Sequence, residues 1–475
     1  MMQPLHITII GGGFCGIVTA INLLQNNHCP VQISIVNKGY PLARGVAYAP
    51  ANSSLLLNVP NGRMGAFPND PGHFLTWLKQ QPAYQEQGAA LVGDFSPREV
   101  YGIYLGQLWR EALVNKSDSS TVAVYDDLAY KIIADEERYH VYLKEHPVLS
   151  TDVVVLATGN ALPRLPSGIP ESFSRTPFYC GDPWCKQGIE GLKEDGDVLI
   201  IGNGLTMADT VVSLVASGFK NTMYTVSPHG FNLNSFTEDK PPYEGLNMDE
   251  LLAGDLSLSA LVETLNKHRK AAERLGQSTY TIVDKLRPYV PKIWRSFSAR
   301  EKEQFLTWFR HLWGSIRHRL PNQTHRFISK LYAQQRLITY KGKVKHLEKH
   351  ADLVAVTLNS NGETKCIHVQ RIINCTGPEG DPALSSNELL RNLEKSGMIC
   401  ADEAGIAVKA DPATFSVIAA DGIVKPNLFV IGSGLKGVLW ESTAVPELRI
   451  QAKKLADMLA GKAYIRNSVL QEAGR

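Results

Sequence analysis

The sequence predicts an α/β fold with two β-turn-α-β units and a helical stretch set among its later strands. Three observations carry this. An apolar run, His6-Ile7-Thr8-Ile9-Ile10, leads directly into Gly11-Gly12-Gly13-Phe14-Cys15-Gly16. A second run, Val198-Leu199-Ile200-Ile201, leads into Gly202-Asn203-Gly204-Leu205-Thr206. Residues 247–335 lose strand character and read as helices. A glycine-rich turn between a strand and a helix marks a dinucleotide site. Two such turns predict two Rossmann-like dinucleotide-binding domains, an arrangement that serves electron transfer from one dinucleotide to the other.

Taken in order, Ile7 to Ile10 form a buried strand. Gly16 to Leu24 form a helix with Ile17, Ala20, Ile21 and Leu24 on one stripe. Val31 to Val36 is the next strand. Residues 39–71 are rich in Gly, Pro and Asn and read as a long loop. Its Tyr48, Leu55, Leu57, Val59, Met64 and Phe67 argue for an ordered, functional loop. His73 to Lys79 and Tyr101 to Leu113 read as helices. Val122 to Tyr125, Tyr130 to Ile133 and Tyr139 to Lys144 read as a small antiparallel sheet. Val153 to Leu156 is a buried strand running into Ala157-Thr158-Gly159.

The proline-punctuated stretch from Pro163 to Pro177 marks a domain boundary. The second unit then runs from Val198 to Ile201, through a helix at Met207 to Val215, to a strand at Met223 to Val226. Phe305, Trp308, Phe309, Leu312, Trp313 and Ile316 recur at helical spacing, as the apolar face of an amphipathic helix. Strands resume at Leu337 to Tyr340 and Leu353 to Leu358. Arg371 to Cys375 leads into Thr376-Gly377, and Asn427 to Ile431 into Gly432-Ser433-Gly434. Ala444 to Leu459 is a closing helix.

A chain of 475 residues exceeds what one core supports, so two or three domains are expected. A net charge of +3 is too mild for a nucleic-acid partner. No apolar run reaches the roughly 18 residues that span a bilayer, so no membrane span is expected. The N-terminus shows no basic n-region or cleavage site. Seven scattered cysteines do not form a disulfide framework, and the expected compartment is a reducing cytoplasm. No Cys/His cluster has zinc-binding spacing, and no metal is expected.

In the first turn Gly11 permits the tight bend and Gly13 lets the backbone approach a pyrophosphate. Gly16 lets helix and strand pack closely. The backbone at Phe14 and Cys15, at the helix N-terminus, then faces the phosphates. The acid expected at the end of the second strand is replaced by Asn37, which can hydrogen-bond ribose without charge. The second turn keeps Gly202 and Gly204 but carries Met207 at the third position. Around it, Leu205 joins the nucleotide site, Thr206 is expected to cap the helix and contact phosphate, and Asp209 to complement the dipole from the first turn. Ser227-Pro228-His229-Gly230 lacks the arginine that favours a 2′-phosphate, so NADH and NADPH both stay open.

Cys180 and Cys185 form a C-x4-C pair. A redox dithiol needs a lowered pKa and access to its oxidant. Placed in the interdomain connection, the pair reads as two unrelated cysteines. His73 reads either as a packing and capping residue or as a flavin contact. Arg317 to Arg319 close a helix, where cations complement the dipole; binding of an anionic group is the sharper alternative.

Several runs carry a family resemblance. They include Arg44-Gly45-Val46-Ala47-Tyr48, Leu57-Asn58-Val59-Pro60, Met64, Phe67-Pro68-Asn69-Asp70-Pro71 and His73-Phe74-x-x-Trp77-Leu78. Pro97-Arg98-x-x-Tyr101-Gly102-x-Tyr104-Leu105, Asn374-Cys375-Thr376-Gly377-Pro378 and Leu439-Trp440-Glu441-x-Thr443-Ala444-Val445-Pro446 extend the match. The chain resembles the bacterial FAD/NAD(P)-binding proteins, a family that includes flavin-dependent urate hydroxylases and aspartate N-monooxygenases. Its layout also looks like that of the lysine and ornithine N-hydroxylases.

The resemblance implies an FAD domain in two pieces, residues 1–165 and 371–475. Between them it implies an NAD(P)H domain, residues 190–370, with a helical insertion at 245–335. Besides the first turn, it implies cofactor contacts from Arg44, Asn58, Met64 and His73, from Thr158, Gly159, Thr376 and Gly377 at the two crossings between domains, and from Gly432 approaching the flavin. Ser433 stands where related flavoproteins carry Asp. The implied activity is a single-component monooxygenase that consumes NAD(P)H and molecular oxygen. It would hydroxylate a small polar substrate through a C4a-hydroperoxyflavin, with Asn58 as the catalytic residue of the loop above the flavin. Two other readings stay open. One is an NAD(P)H-dependent flavin reductase or dehydrogenase without oxygen transfer. The other is a non-enzymatic redox-sensing flavoprotein, which exposed apolar residues on the 305–316 helix would favour.

Overall fold

A computed structural model describes residues 4–26, 30–49, 52–236 and 240–473. The chain divides into two compact units. The first holds Met1–Ser53, Val59–Ala161 and Glu379–Arg475, and the second holds Ser54–Asn58 with Leu162–Pro378. In chain order the strands are β1 Leu5–Ile10, β2 Val31–Asn37, β3 Thr121–Asp126, β4 Ala129–Ala134, β5 Tyr139–Leu143, β6 Leu149–Thr151, β7 Val153–Leu156 and β8 Tyr179–Cys180. They continue with β9 Val198–Ile201, β10 Met223–Ser227, β11 Leu337–His350, β12 Leu353–Ser360, β13 Glu363–Val369, β14 Arg371–Asn374, β15 Ser416–Ile418 and β16 Val424–Val430.

The first unit is built on a six-stranded sheet in the order β15-β16-β7-β1-β2-β3. All its pairs are parallel except β15 with β16. A parallel strand covered on both faces has no polar side to alternate with. That is why β7 reads Val-Val-Val-Leu and is fully buried. The helix Phe14–Leu24 is buried along nearly its whole length. The strands expected as one antiparallel sheet separate. β3 pairs in parallel with β2, in the register Gln32↔Thr121, and only β4, β5 and β6 form the small antiparallel sheet. Alternation alone cannot distinguish an exposed parallel edge from an antiparallel strand.

The second unit carries a seven-stranded sheet, β13-β12-β11-β10-β9-β14-β8. β11 changes partner halfway. Its Leu337 to Lys341 run parallel to β10, and its Gly342 to His350 run antiparallel to β12. The expected boundary before Arg371 is corrected here. β14 lies between β9 and β8 in the second sheet, so the chain leaves this unit only after Pro378.

The helical insertion is present as helices from Met248–Ala253 to Asn322–Ala333. Its expected apolar face does not form as one stripe. Phe305–Phe309 is a π-helical turn that leads into the helix Arg310–Arg317. A wider turn rotates the residues that follow it around the axis. Phe305 packs against Trp294, while Trp308 and Leu312 are left exposed. Among the described residues no helix is long and apolar enough to cross a membrane.

The two units repeat one turn. Gly11 has φ +112° and its N–H donates to Val36 O at 2.9 Å; Gly202 has φ +110° and donates to Val226 O at 2.9 Å. A Cβ on Gly11 would lie 2.1 Å from Ala157 O, and one on Gly202 would lie 2.2 Å from Cys375 O. Both obstacles are backbone and cannot rotate away. Gly11→Ala and Gly202→Ala should therefore each cost at least about 3 kcal/mol in urea unfolding. Gly159→Ala, with φ +69° but nothing within 4 Å, should cost only about 1 kcal/mol.

Candidate functional site

In the first unit, three strand ends meet at the Gly11–Gly16 turn. β1 enters it. β7 supplies Ala157, whose N–H donates to Ile10 O at 2.9 Å. β16 supplies Gly432, at φ +80°. A Cβ on Gly16 would lie 2.0 Å from Gly11 O, so this glycine does the helix-strand packing expected of it. Gly13, by contrast, faces open space, where a Cβ would meet only Gly45 Cα at 3.7 Å. The helix Phe14–Leu24 has Gly13 at its N-cap, no side-chain cap and no acid in its first turn. Its first N–H groups, at Phe14 and Cys15, are therefore left for an anionic partner.

Asn37 braces this turn from within the protein. Its Oδ1 accepts from Gly12 N–H at 3.1 Å, and its Nδ2 donates to Tyr40 O at 2.9 Å. The ribose contact expected of it competes with both bonds. Cys15 faces the protein too: a Cβ on Gly432 would lie 2.9 Å from Cys15 Sγ, and burial pushes the thiol up to about 12. Gly432 is itself fixed by a buried set. Its N–H donates to Gln451 Oε1 at 3.1 Å, its carbonyl accepts from Ser442 Oγ at 2.5 Å, and Gln451 Nε2 donates to Ser442 Oγ at 2.8 Å. Next to Ser442, Trp440 is held at φ +59°, a costly conformation for an aromatic residue.

The long loop is ordered by long-range bonds that sequence spacing does not reveal. Buried Asn61 donates through Nδ2 to Leu91 O at 3.0 Å and accepts from Ser96 N–H at 2.9 Å. Arg449, on the closing helix, donates to Arg63 O at 3.1 Å and Gly65 O at 2.9 Å. Met64 is buried between these anchors. Arg44 precedes the short helix Gly45–Tyr48 without a side-chain cap bond, and its stem covers Gly102. His73 sits against Phe67, with Nδ1 2.9 Å from the Tyr104 hydroxyl, which also accepts from Ala66 N–H at 3.2 Å. Phe14, Tyr48, Phe74 and Tyr104 surround Tyr101. The Tyr101 hydroxyl is buried and has no hydrogen-bond partner among the described residues. Asn58 is exposed and groups with the second unit, not with these residues.

In the second unit the same design recurs. The helix Leu205–Ala216 has Gly204 at its N-cap, no side-chain cap and no acid in its first turn. Two expectations are corrected. Thr206 lies inside the helix, where its carbonyl accepts from Thr210 Oγ1 at 2.9 Å, and it does not cap. Asp209 lies one turn further in, near the Cys375 thiol, so it does not complement the N-terminal dipole. Met207, in place of the third glycine, is buried in the core with Val198, Ile200 and Val211. Thr376 and Gly377 belong beside this turn, as Thr158 and Gly159 belong beside the first. Thr376 Oγ1 donates to Asn374 Oδ1 at 2.8 Å, and Gly377 has φ +95°.

The insertion contributes what the strand end lacks. Asn203 Nδ2 donates to Phe231 O at 2.5 Å; Phe231 stacks on His229, and His229 lies 4.7 Å from the His311 ring. Arg310 adjoins His311, with an Nη2–Nε2 separation of 3.4 Å. Burial, with the charges of Arg310 and His229, lowers His311 to about 4. A cation thus stands near the end of β10, supplied from a helix some eighty residues later in the chain. Arg319 is engaged elsewhere, bonded to Asp284 at 2.5 Å and lying over Phe236 and Tyr280. Cys180 and Cys185, expected to be unrelated, have their sulfurs 3.4 Å apart.

Residues 8–161 match a family model described as FAD-NAD(P)-binding. A comparison with curated proteins finds no match. Similar folds occur in solved structures. One is L-lysine 6-monooxygenase from Pseudomonas syringae, with 18% identity, 96% of this chain and 99% of that chain covered, and a TM-score of 0.64. Ornithine hydroxylase from Pseudomonas aeruginosa, in its reduced form, has 14% identity, covers 97% and 99%, and has a TM-score of 0.65. Bacillithiol disulfide reductase from Staphylococcus aureus has 14% identity, covers 97% and 99%, and has a TM-score of 0.56. At these identities the likeness establishes a shared α/β fold.

Removing the Arg449 anchor isolates the loop's contribution. Arg449→Gln should lower stability by about 2 kcal/mol and raise amide hydrogen exchange across residues 61–72, with β1 and β7 still protected. Unchanged exchange in the loop would show that Arg449 does not hold it.

Proposed function

We propose that this protein is an FAD-dependent oxidoreductase that consumes NAD(P)H and acts as a single-component monooxygenase on a small polar substrate. The observation that carries the cofactor assignment is the duplicated glycine turn. Each is open at its second glycine and leads a helix whose N-terminus has no side-chain cap. The family match over residues 8–161 supports FAD at the first turn. The structural likeness to lysine and ornithine hydroxylases supports oxygen transfer, as does the sequence resemblance to urate hydroxylases and aspartate N-monooxygenases. The likeness to a disulfide reductase keeps simple reduction as the rival.

Bound FAD would accept two electrons from the nicotinamide and activate molecular oxygen. The chain's own part is to bind, orient and exclude water. Gly13 and the first helical N–H groups hold the pyrophosphate, and Asn37 keeps the turn closed behind it. Cys15, Ser442 and Gln451 close in on Gly432 and fix the backbone that follows β16 beside the turn. Tyr101, whose hydroxyl has no hydrogen-bond partner among the described residues, offers a donor inside an aromatic cluster. Asn58 is our candidate for steering the oxygen chemistry on the family resemblance alone, since it is exposed and groups with the second unit. Asn58→Ala should raise hydrogen peroxide release per NAD(P)H oxidised and lower product formation. Peroxide assays run against substrate turnover check this; unchanged coupling would remove Asn58 from the site.

In the second unit, Gly204 and the backbone at Leu205 hold the nicotinamide nucleotide's pyrophosphate. Arg310 and His311 select the 2′-phosphate of NADPH. A phosphate beside His311 favours its protonated form, so binding takes up a proton. The KM for NADPH should fall as pH is lowered from about 7 to about 5, with no such trend for NADH. His311→Gln should remove the trend, and Arg310→Ala should raise the KM for NADPH about tenfold. Equal behaviour of the two nucleotides would overturn this selectivity.

Exposed Trp308 and Leu312 favour a second reading, in which the insertion docks a partner protein. Anaerobic mixing separates the two: failure of both nicotinamides to reduce the bound flavin would favour the non-enzymatic reading.

A further inference from the structure

The Cys180–Cys185 pair has the features of a built site. Cys180 ends β8, the edge strand of the second sheet. The loop that follows is tied back on itself by Asp182. The Asp182 carbonyl accepts from Cys185 N–H at 3.1 Å and from the Cys180 thiol at 3.0 Å. Its Oδ1 accepts from Trp184 N–H at 3.0 Å. The two sulfurs, 3.4 Å apart, are thereby held without a bond between them. Cys180 is buried under Gly188, where a Cβ would lie 3.2 Å from its sulfur, whereas Cys185 is partly accessible.

A cation completes the cluster. Arg371 opens β14, which pairs with β8 in the register Ile372↔Tyr179. Its Nη1 donates to Gln187 O, and its guanidinium interacts electrostatically with both thiols. Its buried Nε has no hydrogen-bond partner among the described residues. A guanidinium beside a dithiol can stabilise the negative charge that develops on sulfur as bonds to it form and break. Burial, with Cys185 and Asp182 as neighbours, pushes the Cys180 thiol far above its ordinary range. That assigns the order of reaction, with Cys185 first and Cys180 second.

We propose that Cys180 and Cys185 form a peroxide-driven, reversible disulfide in the second unit, with Arg371 activating Cys185. The oxidant is hydrogen peroxide. The Cys185 thiolate attacks one peroxide oxygen. An S–O bond forms, the O–O bond breaks, and the departing hydroxide takes a proton to become water. The Cys180 sulfur then attacks the Cys185 sulfenic acid. The S–S bond forms, the S–O bond breaks, and hydroxide leaves with the proton from Cys180 as a second water. Two thiols lose two electrons in total and one peroxide gains them. A dithiol reductant reverses the step by exchange.

The test uses the full-length protein, reduced, then exposed to hydrogen peroxide, alkylated and mapped by mass spectrometry. The peptide carrying Cys180 and Cys185 should lose two hydrogens and both alkylation sites, and dithiothreitol should restore them. Exposed Cys366 reports background oxidation. Cys180→Ser should accumulate a Cys185 sulfenic acid that dimedone traps, while the wild type gives little adduct. Cys185→Ser should leave Cys180 unoxidised. Arg371→Gln should slow disulfide formation about tenfold. Arg371→Lys should stay near the wild-type rate and so separates charge from folding. Sulfinic acid at Cys185 with Cys180 still alkylatable, or no oxidation of Cys185 at all, would overturn the disulfide. An unchanged rate in Arg371→Gln would overturn the role given to the guanidinium.

Discussion

Both units depend on one close contact, a glycine Cα pressed against the carbonyl of the neighbouring strand. Gly11 against Ala157 and Gly202 against Cys375 leave no room for a Cβ, and both glycines take a positive φ that other residues avoid. The contact sets the angle at which the chain leaves its strand. That angle in turn points the first helical N–H groups out of the strand end. Everything proposed about nucleotide binding follows from that direction, because a helix N-terminus attracts an anion only where its donors are left free. Some other helices close such ends with side chains, as Asn247, Ser257, Ser298 and Asn387 do, while Arg98–Asn115 and Asn322–Ala333 do not.

The two turns share a backbone and differ in their surroundings. At the first, Gly16 lets the helix sit directly on Gly11 and Ile9, and Gly432 closes in on Cys15. At the second, Met207 fills the corresponding place and becomes part of the core. The first is bordered by the long loop, which Asn61 and Arg449 hold down. The second receives Arg310 and His311 from the insertion. A site bordered by an anchored loop suits a resident cofactor, and a site bordered by a helical insertion suits a nucleotide that comes and goes. The oxidoreductase reading uses one of each.

How far this was legible in the sequence follows from the range of each interaction. Val-Leu-Ile-Ile and Val-Val-Val-Leu announce buried parallel strands because no solvent face interrupts them. The glycine turns are legible because their geometry admits one residue type. β8 and β15 are too short to leave a periodic trace. The π-turn at Phe305–Phe309 broke the expected stripe, because one extra residue per turn cannot be seen in spacing. His229 with His311, and Arg449 with the loop, join residues far apart in sequence whose pairing no local pattern encodes. Cys180 and Cys185 show the converse. Their spacing is plain, but only the fold of the Asp182 loop says that the sulfurs meet.

The way the sheets end bears on how the chain behaves among its own copies. A bare strand edge is a template onto which another chain can add. In the first unit's large sheet, one edge is β15, three residues long, and the other is β3, which ends on the exposed Asp126. In the second unit's, one edge is β8, two residues long and followed by Pro183, which cannot donate to a ladder. The other is β13, whose Glu363 and Lys365 stand exposed along it. β15 and β8 are thus short, β13 is charged, and β3 carries one charge at its end. Two large sheets, each a hazard while a chain of this size is still folding, are terminated in ways that discourage intermolecular pairing.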